Sequence, residues 1–98
     1  KGIFIKAKEG VEVYAVAEGQ IVFSDWITGY GNIIIINHGK GYMSLYGNNQ
    51  SLLKQPNEIV KRGDVIAIVG NSGGNKFNGV YYELRKNSKP FNPLSWTK

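Results

Sequence analysis

The sequence predicts an all-β domain, an antiparallel sheet closed on itself as a sandwich or barrel-like unit, and three observations predict it. Turn signals built on glycine, asparagine, aspartate and proline recur roughly every eight to twelve residues, the spacing of short strands joined by tight turns. No stretch of useful length carries apolar residues at the helical period. Ile33 to Ile36 are four consecutive β-branched residues, stiff at χ1 and poor in helices, which marks a central strand buried on both faces.

Taken in order, Val11, Val13, Ala15 and Ala17 alternate with Glu12, Tyr14 and Val16 and run into Glu18-Gly19, a strand entering a tight turn. Gln20 to Trp26 is the return strand. Thr28-Gly29-Tyr30-Gly31-Asn32 is a glycine-flanked loop feeding the isoleucine strand. Asn37-His38-Gly39-Lys40-Gly41 is expected to reverse the chain, and Tyr42 to Tyr46 to run back. Gln50 to Leu53 carries the one hint of helix, a short turn. Glu58-Ile59-Val60 leads to the turn signal Lys61-Arg62-Gly63-Asp64, and Val65 to Val69 is another apolar strand. Gly70-Asn71-Ser72-Gly73-Gly74-Asn75 reads as a long hairpin loop, followed by an aromatic strand from Gly79 to Arg85. Pro90 and Pro93 are expected to close the domain, because two prolines so near each other stop both helix and ladder.

With 98 residues the chain reads as one domain, and its first residue, Lys1, suggests a domain excised from a longer protein. Cysteine is absent, which excludes a disulfide framework and thiolate metal ligation. The apolar run Ile33 to Ile36 is far too short to cross a bilayer. A net charge of +5 admits an acidic partner, but the lysines are scattered through turns and strand ends with no run longer than Lys61-Arg62. That pattern fits a solvated surface and not a nucleic-acid stripe.

The chemical inventory is short. His38 is the one histidine, and Glu9, Glu12, Glu18, Asp25, Glu58, Asp64 and Glu83 are the carboxylates. A catalytic zinc takes three ligands from histidine, cysteine and carboxylate, so a self-contained zinc site is not expected, and His38 reads as a turn residue. No serine sits in a nucleophile elbow, and the loop from Gly70 lacks the Gly-Lys-Ser/Thr ending of a phosphate cradle. Glu83 is open to two readings, a general acid or base and a strand carboxylate paired with a nearby cation. On chemistry alone the chain reads as a binding domain, with no cofactor.

Several ordered stretches resemble the LytM or lysostaphin-type zinc peptidases, whose active members cleave peptidoglycan cross-links. They include Gly2-Ile3-Phe4-Ile5, Glu9-Gly10-Val11-Glu12-Val13, Ala17-Glu18-Gly19-Gln20-Ile21-Val22, Gly29-Tyr30-Gly31-Asn32, Ser44-Leu45-Tyr46, Val60-Lys61-Arg62-Gly63 and Tyr82-Glu83-Leu84-Arg85. The resemblance spans nearly the whole chain and implies a duplicated hybrid-motif fold. It also implies that Phe4 stands at a zinc-ligating aspartate, Tyr81 at a zinc-ligating histidine, and Asn48 and Gly79 at two assisting histidines. None of the four can do the original work: phenylalanine and glycine offer no ligand, and a neutral tyrosine is a poor one.

A scaffold without its ligands resembles the degenerate LytM domains of the EnvC type, a match that extends to Asn37-His38-Gly39-Lys40-Gly41, Met43-Ser44-Leu45-Tyr46-Gly47 and the Asn92-Pro93 ending. That resemblance implies a non-catalytic regulator that binds and activates periplasmic N-acetylmuramyl-L-alanine amidases for septal peptidoglycan splitting. It further implies the C-terminal part of a coiled-coil protein governed by the FtsE-FtsX complex through regions outside this chain. A peptidoglycan-binding module and an active zinc endopeptidase are the alternatives. In this fold Lys1, Phe4, Tyr30, Ile33, Tyr81 and Arg85 are expected to form the amidase-binding patch, with Tyr81 and Arg85 on one face of their strand.

Overall fold

The computed structural model describes residues 2–87 and 89–91, the last three by backbone alone. Within them the chain forms nine strands and no helix: β1 (Ile3–Lys6), β2 (Glu12–Tyr14), β3 (Gly19–Ile27), β4 (Gly31–Gly39), β5 (Tyr42–Leu52), β6 (Ile59–Val60), β7 (Val65–Val69), β8 (Gly79–Lys86) and β9 (Lys89–Phe91). All pairings are antiparallel. The main path runs β1-β8-β5-β4-β3-β6, while β2 and β7 pair with each other and β7 joins β5. The predicted all-β class therefore holds.

The isoleucine run sits at the centre of β4, between β3 and β5, with Ile33, Ile34 and Ile36 buried. Strand alternation sorts the side chains. Ile34, Ile36, Tyr46, Val80, Tyr82 and Leu84 point inward, where they meet Val13, Ala15, Ile66, Ala67 and Val69 from the β2–β7 side. Burying this many aliphatic and aromatic groups, each worth about 1.5–3 kcal/mol, dominates the stability.

Four expectations change. The helical turn at Gln50 to Leu53 is strand: Ser51 faces Ile68 and Leu52 faces Ala67, because pairing with β7 overrides a weak local preference. The strand expected from Val11 to Ala17 shrinks to β2, since a register shift after Val13 takes Ala15 and Val16 out of the ladder, with the Ala15 amide donating to the Asp64 carbonyl. The chain reversal narrows to Lys40-Gly41, both at positive φ (55° and 83°), which matches the twist of a tight hairpin. Pro90 lies inside β9 opposite Arg85, and among the described residues β9 pairs with β8 alone, an edge position where proline is tolerated. Pro93 and the Asn92-Pro93 ending lie outside the described residues.

The narrower hairpin moves His38 into β4. Its Nδ1 lies 2.8 Å from the Glu18 carbonyl and its Nε2 2.6 Å from the Ser44 hydroxyl. Ser44 in turn meets the Tyr46 hydroxyl at 2.7 Å, which accepts from the Val16 amide at 3.2 Å. Burial lowers the His38 pKa, against a smaller opposing effect of the Glu18 carbonyl. This relay lies on the inner side of the sheet and fastens the segment between β2 and β3 to β4 and β5.

Candidate functional site

The outer side of β8 carries the candidate site. Because Val80, Tyr82 and Leu84 point inward, Tyr81, Glu83 and Arg85 share the outer face. Register adds their neighbours: Phe4 of β1 and Gly47 of β5 flank Tyr81, and Leu45 and Met43 stand opposite Glu83 and Arg85. The Tyr30 ring, from the loop before β4, meets the Tyr81 ring at 5.4 Å with a 56° tilt. Gly29, Tyr30, Asn75 and Tyr81 line a cleft of about 440 Å³.

Glu83 organises this face. It is 2% exposed, and a carboxylate so buried needs partners for its charge. The Tyr81 hydroxyl donates to one carboxylate oxygen at 2.6 Å and the Arg85 Nε to the other at 2.7 Å. Burial works to raise the Glu83 pKa, yet the bonds from Tyr81 and Arg85 and the arginine charge outweigh it and hold the group below its ordinary value. Burial, the bond to Glu83 and the carboxylate charge push the Tyr81 phenol up to about 12. The bond to Glu83 likewise raises Arg85. Tyr81 and Arg85, both only partly exposed, are thus held in place by the residue between them.

Of the two sequence readings of Glu83, the paired strand carboxylate is the one the geometry supports. A base with both oxygens occupied, one of them by a guanidinium, has little affinity left for a substrate proton.

The other site residues divide. The Phe4 ring occupies the space beside Gly79: a Cβ at position 79 would lie 2.8 Å from that ring and 2.3 Å from the Ile5 carbonyl oxygen, so glycine is required by close approach. Asn48 is fully buried at φ 70°, and its side-chain amide reaches Gly70, Gly73, Asn75 and Gly79. Phe4, Tyr30, Asn48, Gly79, Tyr81 and Arg85 therefore converge on one region. Ile33 corrects the expectation: at 1% exposure it is covered and has no surface to offer a partner. Lys1 lies outside the described residues.

Residues at this place do not fit a zinc ion. Phe4 and Gly79 bring no donor atom, the Asn48 amide is committed to four groups, and Glu83 is committed to Tyr81 and Arg85. Among the described residues no three His, Cys, Asp or Glu side chains cluster closely enough to hold a metal. Sequence reasoning missed Asn75 and underrated Glu83. The period-2 spacing Tyr81-Glu83-Arg85 was the available signal for the second, whereas Asn75 comes to the cleft only through folding of its loop.

The model of the family described as Peptidase family M23 matches residues 1–93. The chain is 46% identical over 96 residues to the murein hydrolase activator EnvC of Escherichia coli K12, covering 98% of this chain and 23% of that protein. It is 36% identical over 97 residues to the murein hydrolase activator NlpD of the same organism, covering 98% of this chain and 25% of that one. The chain thus spans about a quarter of the length of these curated relatives. Among solved structures, the catalytic domain of the antimicrobial peptidase lysostaphin from Staphylococcus simulans superposes with a TM-score of 0.91 at 22% identity, over 98% of this chain and 77% of that one, a likeness of fold alone.

Proposed function

The chain belongs to peptidase family M23, and from that membership we propose that it is a non-catalytic domain that binds a peptidoglycan amidase and switches it on. The observation that carries the reading is the cleft itself. Phe4, Asn48, Gly79 and Tyr81 fill the region with an aromatic wall and a committed amide, and Arg85 stands beside it on the same face as a pinned cation. Tyrosine and arginine on a rigid support are the residue types that dominate binding energy at protein interfaces. Two curated relatives, named murein hydrolase activators, support the same direction.

In this reading the partner docks on Phe4, Tyr30, Tyr81 and Arg85. Tyr30 and Tyr81 bury ring surface at small entropic cost, because their mutual packing and the Tyr81–Glu83 bond already restrict them. Arg85 presents its remaining guanidinium donors to a carboxylate or carbonyl of the partner. The domain works in the periplasm as part of a longer protein, where the FtsE-FtsX complex acts on regions outside this chain.

The test is release of dye from labelled cell-wall sacculi by a purified N-acetylmuramyl-L-alanine amidase, with and without the domain. Wild type should stimulate release, and Tyr81→Ala and Arg85→Ala should each raise the concentration needed by roughly 10- to 100-fold, the cost of truncating a central contact. Full stimulation by both variants would remove the patch. Retention of the domain on sacculi with no effect on any amidase would favour a peptidoglycan-binding module instead.

A further inference from the structure

Strand β5 changes partners at one residue. Gly47 is still opposite Tyr81 of β8, Asn49 is already opposite Val69 of β7, and Asn48 turns the chain between them at φ 70°. The end of β7 and the start of β8 meet beside this turn, the Gly79 amide donating to the Gly70 carbonyl at 3.2 Å, and the Asn48 side chain bonds to both. Its Nδ2 donates to the Gly70 carbonyl at 3.0 Å and to the Gly79 carbonyl at 3.0 Å. Its Oδ1 accepts from the Gly73 amide at 2.9 Å and from the Asn75 side-chain amide at 2.8 Å. An asparagine amide has two donor hydrogens and two acceptor lone pairs, so its whole capacity is used. The Asn48 backbone N–H adds a bond to the Tyr30 carbonyl at 2.6 Å.

These bonds reach two of the four residues that line the cleft and the start of the strand that carries a third. Tyr30 and Asn75 line it directly, and Gly79 begins the strand that presents Tyr81. The loop from Gly70 to Asn78 is fastened at its ends, where the Gly79 amide donates to the Gly70 carbonyl and the Ala7 amide to the Asn78 carbonyl, each at 3.2 Å, and Lys6 Nζ lies over the Phe77 ring at 4.2 Å. Toward the middle, Ser72 Oγ accepts from the Asn32 amide at 2.8 Å, Asn71 bonds Gly74 and Asn75 within the loop, and Asn48 ties Gly73 and Asn75 to β5. Asn48 itself has no exposed surface and touches no partner.

We infer that Asn48 is a positioning residue that sets the domain's affinity for its amidase by holding Tyr30, Asn75 and Tyr81 at fixed separations. The inference rests on the activator reading. Two requirements meet at this position, a left-handed backbone and a side chain that donates twice and accepts twice. Asparagine satisfies both. Aspartate would aim charge at two carbonyls, and glycine would keep the turn but leave Gly73 and Asn75 without their bonds to β5.

Asn48→Gly is therefore the informative variant, since it keeps φ 70° without strain and deletes only the amide. Two changes are expected. The Gly73 amide should exchange with solvent roughly tenfold faster or more, and the domain concentration for half-maximal amidase stimulation should rise by roughly tenfold while stimulation at saturation is retained. Asn75→Ala changes an exposed residue, leaves the fold intact and should shift the half-maximal concentration the same way by less. A folded Asn48→Gly with wild-type half-maximal concentration overturns the inference, as does one that loses saturating stimulation alone. Should the glycine variant fail to fold, Asn75→Ala decides: unchanged exchange with unchanged half-maximal concentration overturns it. A wild-type domain that stimulates no amidase overturns the activator reading separately. Loop exchange then stands by itself, and an unchanged Gly73 rate in Asn48→Gly refutes the positioning role.

Discussion

Two polar networks sit on opposite faces of the same sheet. On the inner side, His38, Ser44 and Tyr46 form a neutral chain that ends in backbone groups, the Glu18 carbonyl and the Val16 amide. On the outer side, Tyr81, Glu83 and Arg85 form a charged chain that ends in an arginine 34% exposed. Both satisfy groups that burial would otherwise penalise. The inner chain ties segments of the fold to one another, whereas the outer chain has donors left at its exposed end and can fasten a partner as well. A buried network is a candidate for function when its last member still has unused capacity in solvent.

The largest expected effect breaks the outer chain at its middle. Glu83→Ala removes the acceptor for both Tyr81 and Arg85, and its loss should cost about 1–3 kcal/mol in urea unfolding, tempered because Arg85 is partly solvated. Amidase stimulation should fall with it, since both contact residues lose their support. A variant that unfolds earlier but stimulates normally would show that the outer chain, like the inner one, serves the fold alone. The inner counterpart, Tyr46→Phe, deletes one hydroxyl bonded to Ser44 and to the Val16 amide and should cost about 0.5–1.5 kcal/mol in the same measurement. Stimulation by the folded fraction should be unchanged, and a loss there would erase the contrast between the faces.

Acid separates the two networks by the smallest margin. The folded state lowers the His38 pKa, so below the ordinary value of 6.5 the unfolded chain binds the proton first, and stability falls as the pH drops from about 6.5 toward the lowered folded value. Glu83 also has a lowered folded pKa, and its contribution, present above 4.5, is lost as the pH falls further. The inner network should therefore weaken at milder acidity than the outer. Urea midpoints across this range check the order: His38→Gln should flatten the decline that begins near pH 6.5, and an unchanged decline would assign it to another group.

Much of the fold was legible because strand signals are local. The isoleucine run, the spacing of turns and the alternation from Gly79 to Arg85 each depend on residues adjacent in sequence, and the sheet bears out the class and the central strand. Expectations failed where a distant partner decided. Gln50 to Leu53 became strand through β7, and His38 joined β4 by bonding Glu18, 20 residues earlier, and Ser44. Ile33 is expected in the patch from the family fold although its own strand reads as buried on both faces, and burial is the reading that the structure bears out.

By itself, then, the sequence determined the strand-rich class and the common face of Tyr81 and Arg85, matters of side-chain type and a two-residue period, while the ligand positions assigned to Phe4, Gly79 and Tyr81 are what the family resemblance implies. Only the tertiary structure decided that Glu83 joins Tyr81 to Arg85 and that Asn48 ties the loop between β7 and β8 to β5. Those roles depend on hydrogen-bond geometry, and for Asn48 the carbonyls it binds lie 22 and 31 residues away along the chain, beyond the reach of any local pattern.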